Sequence, residues 1–450
     1  MDVVEKELLR GEVDALVAAV EEARFRHVAG MDAAPSLADA FRAHGRAAHR
    51  DSVKALEADG EKDLAALVAG LRAERAQAAD EEAWRTAEET ASDIGPDGVV
   101  DLEAAQLAVV NERDRGRRLA FGRAVAEAAA LASREAAAEK RARARAEVGL
   151  TPDWESVVEA DAVLALSDDG YRDVLRWMAR REAQVTPAPQ GDATRADLLY
   201  VLALHGYDAL FPAGMLALAL EQALAPLRLD VRRLRVDDGK RPAQWPGAHA
   251  HGARVSLRRQ GGVADWLGLF DAVGQALGAL HAPPHRRDPR APYTVGALLA
   301  GLLLDRGFLV SRIGVDRKHA GDLSRALALR QLFRLRARCA AFRVASEVER
   351  GTSGAAWHDA YREAMTIAAA ATWPPGLAAR DADASASAAI LKGAARAERL
   401  RRSFVERFDE DWWKNPRAAD ALGTALAGGV GEPEEPPLAL AAEALLARMQ

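Results

Sequence analysis

The stretch Gly261–His281 reads GGVADWLGLFDAVGQALGALH, and its reading decides the fold. It follows ARVSLRR at Ala253–Arg259, whose apolar and polar residues alternate as in a strand, across a Gly-Gly turn. Trp266, Phe270, Val273, Leu277 and Leu280 then recur at spacings of three and four, which makes one face of a helix over 265–281 apolar. On the same helix Asp271 and Gln275 stand one turn apart, with Ala272 beside the first of them.

Working outward, most of the chain carries the same helical period. EVDALVAAVEEARFRHVAG ends on Gly30, a candidate C-cap, and DLAALVAGLRAERAQAADEEAWRTAEET continues the pattern. SDIGPDGVV breaks it, and LEAAQLAVVNERDRGRRLAFGRAVAEAAALASREAAAEKRARARAE resumes as one very long helix or two. Thr151 with Pro152 offers an N-cap and first-turn pair, Ser167 a cap for the helix after it, and Thr186–Ala193 a loop. From about Leu227 the alternation in DVRRLRV and ARVSLRR predicts a single small sheet over 227–260. Helices run from Asp265 nearly to the end, interrupted at TWPPG and at GGVGEPEEPP, a link to a last short helix.

Composition agrees with a helical, globular chain. Of 450 residues, 49% are hydrophobic, 28% charged and only 5% aromatic, with Ala, Leu and Arg abundant. The net charge of −6 argues against a nucleic-acid binder that works by broad charge neutralisation. The basic runs Glu139–Glu147 and Glu398–Phe408 read as solvated helix faces. The single cysteine, Cys339, excludes an intrachain disulfide and a cysteine-based zinc site, and reads as a small core residue. The opening residues lack a signal-peptide pattern, and Gly214–Leu227 and Val295–Asp305 are too short or interrupted to span a bilayer, so no membrane partner and a cytoplasmic location are expected.

At Gly261–His281 a family resemblance becomes specific. The segment resembles the active-site helix of the thimet oligopeptidase and oligopeptidase F superfamily of zinc metallopeptidases, of gluzincin fold, where H-E-x-x-H sits inside H-E-x-G-H-A-L-H. In that motif two His four residues apart bind zinc and the Glu activates the bound water. Here DAVGQALGAL places Asp271 at the first ligand position, Ala272 at the general base and Gln275 at the second ligand. Gly274, Ala276 and Leu277 keep the family's packing residues, while PYTVGALLAGLLLD, where the third ligand is drawn, has no acid before Asp305. Arg24–Gly30, Val109–Ala124 and Thr194–Pro212 resemble recurring stretches of bacterial members, Arg241–Gly262 resembles the segment that forms the family's substrate-lining strand, and Phe404–Leu422 resembles a C-terminal signature ending in a Trp-Trp-x-Asn-Pro box. The oxyanion-stabilising Tyr or His positions fall near Ser385, Ala386 and Ile390, where neither residue occurs.

The resemblance implies a mainly α fold: a two-lobed helical clamshell around a deep groove that a small sheet lines. It divides the chain into an N-terminal lobe at 1–150, a degenerate peptidase core at 151–430, and a linker with a C-terminal helix at 431–450. It implies a pseudopeptidase without zinc, its groove binding a peptide or a protein partner such as an active paralogue of the same fold. The rival readings are a working hydrolase with a rebuilt metal or acid site, and a structural subunit with a closed groove. Asp271, Gln275, Ser385 and Ser387 are the groove candidates. His249, His251, His281 and His285 are the candidates for a relocated metal site, although Pro283 and Pro284 interrupt the helix between the last two. Asp265, Glu112 and Asp114 are further acid or base candidates, NERDRGRR reads as an ion-pair network, and Trp412 and Trp413 as core anchors.

Overall fold

The computed structural model describes residues 3–131, 135–150, 153–381, 383–427 and 435–450. Four helices open the chain: α1 (Val3–Val28), α2 (Leu37–Ala43), α3 (Arg50–Ala58) and α4 (Lys62–Thr90). Leu9, Val13, Leu16 and Val20 of α1 meet Phe41, Leu56 and Val68 in a core of their own. Gly30 ends α1 with φ +64°, and a Cβ there would lie 2.5 Å from the backbone nitrogen of Gln244. The loop leading to the second sheet crosses the end of α1 at that point, where Trp245 N–H donates to Val28 O at 2.9 Å.

The break at SDIGPDGVV is a two-stranded sheet of its own, not a plain turn. Strands β1 (Ser92–Gly95) and β2 (Gly98–Asp101) pair antiparallel, so the expectation of one sheet is corrected. Pro96 and Asp97 form the turn between Gly95 and Gly98, which face each other across the hairpin. The region read as one or two helices is interrupted at 112–114, between α5 (Leu102–Asn111) and α6 (Arg115–Leu131); α7 (Glu135–Glu147) follows, residues 132–134 lying outside the described residues. Thr151 and Pro152 lie outside the described residues, and Asp153 caps α8 (Trp154–Ala183) by accepting from Ser156 N–H at 3.2 Å. Ser167 caps nothing. It is buried inside α8 and donates to Val163 O at 2.6 Å.

After α9 (Arg195–Ala203) and α10 (Leu216–Leu224) come β3 (Arg235–Asp237), β4 (Gly247–His251) and β5 (Arg254–Arg258). The order is β3-β5-β4, with β3 parallel and β4 antiparallel to β5. Val255 and Leu257 of the central strand are buried, and Ser256 accepts a hydrogen bond from the buried Gln244 amide at 3.0 Å. Helix α11 (Gly262–Ala279) follows, starting three residues earlier than the sequence suggested, and then α12 (Ala291–Leu302) and α13 (Arg306–Phe308). The long α14 (Arg317–Glu349), α15 (Ala355–Ala369), α16 (Ala384–Phe408), α17 (Pro416–Ala427) and α18 (Ala439–Met449) complete the larger core. Most of the GGVGEPEEPP link, residues 428–434, lies outside the described residues. No single helix among the described residues is long and apolar enough to cross a membrane.

The core of this second group is organised on α14, whose buried residues recur along its whole length. Cys339 is buried on it, and that burial pushes the thiol pKa up to about 12. Arg336, fully buried, donates to Ala368 O, Leu164 O and Ser167 Oγ and pairs with Asp168 at 2.7 Å. Without those acceptors a buried guanidinium would be strongly unfavourable.

Candidate functional site

The turn into α11 is built for glycine. Gly261 and Gly262 have φ +98° and +63°, and a Cβ on Gly262 would fall 1.8 Å from Asp208 Oδ1. Asp265, considered above as a possible acid or base, is buried and accepts from the Gln260 and Gly261 amides at 2.8 Å each, so it fixes the turn. The apolar face of α11 is held by a run of aromatic contacts: Phe211–Trp266 at 5.4 Å, Trp266–Phe270 at 6.4 Å, Phe270–Phe308 at 6.2 Å and Phe308–Trp413 at 5.1 Å. Trp412 and Trp413 are buried, and Trp413 is the last ring of that run.

Helices α11 and α12 approach through glycines. A Cβ on Gly274 would lie 2.6 Å from Val295 O, and one on Gly278 would lie 2.7 Å from Ala291 O. Opposite them, a Cβ on Gly296 would lie 2.6 Å from Asp271 Oδ1 and 2.8 Å from Gln275 Cγ. The close approach presses the backbone of α12 against the two polar residues of α11. Gln275 Nε2 donates to Asp271 Oδ1 at 3.1 Å, and Arg334 of α14 pairs with Asp271 Oδ2 at 3.3 Å. Ala272, at the position read as the former base, is buried in the apolar core, 3% exposed.

Asp271 and Gln275 line one end of a cavity of about 350 Å³ enclosed by α11, α12, α14, α16 and α18. Tyr293, Arg334 and Arg338 share that end. Burial raises the Tyr293 hydroxyl pKa, Asp383 and Asp271 raise it further, and Arg338 and Arg24 oppose them. Asp383 caps α16 and receives Arg141 of α7 at 2.8 Å. Burial would raise its carboxyl pKa, but Arg141, the Ala386 amide, Arg145 and Arg24 hold it below the ordinary value. Arg145 in turn pairs at 2.9 Å with the largely buried Glu349. The run Glu139–Glu147 is therefore not simply a solvated face: two of its arginines turn inward to α14 and α16.

The serines do not join this cavity lining. Ser385 is exposed and Ser387 is buried, its hydroxyl 3.4 Å from Arg338 Nη1. Ile390, one turn further, does line the cavity. The four histidines do not converge. His249 Nε2 donates to Pro246 O at 2.9 Å, and His285 Nδ1 donates to Asp14 Oδ2 at 2.8 Å while its amide donates to Oδ1 of the same carboxylate. His281 is exposed at the end of α11, and His251 is held neutral chiefly by burial, then by Arg24 and His249. Among the described residues no three His, Cys, Asp or Glu side chains gather in a form that could hold a metal ion. NERDRGRR is an ion-pair network: Glu112 holds Arg117 at 3.0 Å, while Asp197, buried, receives Arg118 at 2.9 Å and Arg115 at 3.2 Å. Asp114 serves locally, accepting from Arg117 N–H at 2.8 Å.

Reasoning from sequence missed Arg334, Arg338 and the whole of α18 as parts of the site. The two arginines stand four apart in QLFRLRARC, a signal for a shared helix face that does not say what the face meets.

No protein-family model matches the chain, and no curated protein matches it. Solved structures do. It superposes on a metallocarboxypeptidase 1 from Trypanosoma cruzi with TM-score 0.51 and 11% identity, over 98% of this chain and 95% of that one. It superposes on an oligoendopeptidase F with TM-score 0.56 and 13% identity, over 99% and 83% of the two chains. The chain has the fold of these peptidases. A third structure, of an oligoendopeptidase F from Bacillus anthracis, agrees with TM-score 0.51 and 13% identity over 100% of this chain and 85% of that one. The mainly α peptidase fold that the Gly261–His281 reading implied is therefore present, at identities that carry the architecture alone.

Proposed function

We propose that this chain is a non-catalytic member of the peptidase fold, a pseudopeptidase that binds a peptide or a protein segment, with an active peptidase of the same fold as a candidate partner. One observation carries the reading: Gln275 Nε2 donates to one Asp271 oxygen and Arg334 pairs with the other. In the metallopeptidase resemblance those two positions hold a metal. The donor set here does not fit zinc. An amide is a poor ligand, Asp271 is committed to two donors, and α12 adds Tyr293, Ala297, Leu298, Ala300 and Gly301 to the lining, with no carboxylate, imidazole or thiol among them. Nor is there a base. Ala272 cannot accept a proton, and it sits in the core rather than beside the cavity. The nearby groups that remain, Tyr293, Arg334 and Arg338, are donors suited to holding carbonyl or carboxylate oxygens rather than to activating water.

The test is a digest of mixed unstructured peptides by the full-length protein, read by mass spectrometry with and without added zinc. The reading expects every peptide to remain intact while some co-elute with the protein in gel filtration. Cleavage that a chelator abolishes and zinc restores would overturn it.

A further inference from the structure

The cavity that Asp271 and Gln275 line is apolar along its middle, where residues from four helices face it: Gly301 of α12, Ala341 of α14, Ile390 and Ala394 of α16, and Ala444 of α18. At Gly301 the space is open enough that nothing lies within 4 Å of a Cβ built there. Walls of this kind offer water no hydrogen bonds, and such a cavity takes up an apolar molecule in preference to water. Its volume of about 350 Å³ falls at the lower end of the range for small-molecule sites. At the rim Arg334 is about half exposed, which gives the cavity a way in from solvent.

The charged groups of the lining are all engaged. Asp271 is paired with Arg334 at 3.3 Å, and Arg338 has Ser387 Oγ at 3.4 Å and shares its end of the cavity with Asp383. At the α18 end Glu398 takes Arg401 in a fork at 2.7 Å on each oxygen, and Arg448 donates to Leu304 O at 2.8 Å. Asp305 and Glu398 both act on Arg448. Neither end therefore presents a charge in want of a counter-ion. What remains open is neutral. Gln275 spends Nε2 on Asp271, which leaves its Oε1 as an acceptor. The Tyr293 hydroxyl, at the same end, forms no hydrogen bond with another described residue and is left as a donor.

We propose that this cavity binds a small uncharged alcohol, its apolar body between Gly301, Ala341, Ile390 and Ala394 and its hydroxyl at Tyr293 and Gln275. A hydroxyl both donates and accepts, so it matches one open donor and one open acceptor. A carboxylate or an ammonium would shed its hydration without finding a free partner of opposite charge. The apolar body supplies the affinity by leaving water for apolar walls. The site rests on reading the cavity as a place of binding rather than catalysis. Chelator-sensitive proteolysis would defeat that broader reading, whereas a failure of ligand binding defeats this one alone.

The experiment is isothermal titration of the full-length protein at neutral pH with octan-1-ol, octanoate and octylammonium. Octan-1-ol binds at about one molecule per chain, and about tenfold or more tightly than either ion, whose charge finds no free partner. Tyr293→Phe removes one hydrogen bond while keeping the ring, and it weakens octan-1-ol about three- to tenfold. Gly301→Leu puts its side chain into the open space at that position and abolishes binding, with circular dichroism to confirm that the variant is folded. No heat with octan-1-ol, an ion that binds as tightly as the alcohol, or unchanged affinity in either folded variant would each overturn the proposal.

Discussion

Gly296 lies against Asp271 so closely that a single added carbon would meet Asp271 Oδ1 at 2.6 Å. The contact ties the polar pair of α11 to the backbone of α12 and leaves no gap between those helices at that level. The Asp271–Gln275 hydrogen bond, the Arg334 ion pair and the glycine seam form one packed unit.

That unit makes the motif hard to restore. Asp271→His, Ala272→Glu and Gln275→His together put a carboxylate into the core at position 272 and two imidazoles against Gly296. The triple variant is expected to be destabilised by several kcal/mol in denaturant titration, since burying an unpaired carboxylate is costly. It is expected to bind zinc weakly at best and to show no peptidase activity. Substantial proteolysis from these three changes alone would mean that a third ligand is in reach.

The glycine seam is testable by itself. At Gly274 an added methyl meets the Val295 carbonyl oxygen at 2.6 Å and Gly296 Cα at 2.7 Å, atoms that cannot swing aside. Gly274→Ala should cost about 1–3 kcal/mol of unfolding free energy, the range for overpacking. Gly301→Ala, in open space on the same seam-forming helix, should instead gain about 0.5–1 kcal/mol. Equal effects at the two sites would show that α11 and α12 are further apart than described.

Arg336 anchors α14 to α8 and α15 through five acceptors. Arg336→Ala removes the buried donor that all five share, leaving Asp168 and Ile367 O to Arg172, and a loss of about 3–5 kcal/mol is expected by chemical denaturation. Arg336→Lys should recover little of it, because a single ammonium cannot span acceptors on two helices. Near-complete rescue by lysine would reduce the site to a point charge.

Acid should weaken the packing of α1 on the second sheet. His27 is buried beside Trp245, with ring centroids 5.4 Å apart, and burial first, then Arg85, lower its pKa from the ordinary 6.5 to about 4. A histidine kept neutral in the folded state takes up its proton more readily when unfolded. Its contribution is therefore complete above pH 6.5 and is lost as pH falls from 6.5 towards 4. At most about 3 kcal/mol is at stake for a shift of this size. His249 and His251 shift in the same direction and add to the slope. The denaturation midpoint should fall between pH 7 and pH 4.5, and His27→Gln should flatten that dependence. An unchanged slope in the variant would place the acid sensitivity elsewhere.

What the sequence made legible was set by period and by local chemistry. Trp266, Phe270, Val273 and Leu277 announced α11 because their spacing is helical over about three turns, and Gly30 marked the end of α1 because the chain there needs φ +64°. The β1–β2 hairpin was illegible because four-residue strands carry too little alternation, and Ser167 misled because a serine bonded to Val163 O inside a helix looks the same as a cap. In the cavity, Asp271 and Gln275 were readable as a pair one turn apart. Their meeting with Arg334, Tyr293 and Ala444 was not, since those contacts join α11 to helices that lie far along the chain. No local pattern records which helix a charged face will meet.

The central claim is that Asp271 and Gln275 form a hydrogen-bonded pair where a metal would otherwise be held. Metal content measures it most directly: elemental analysis of the full-length protein purified without chelator, before and after dialysis against zinc. The account predicts no stoichiometric zinc in either sample. About one zinc per chain, lost when Asp271→Ala and Gln275→Ala are introduced together, would contradict it.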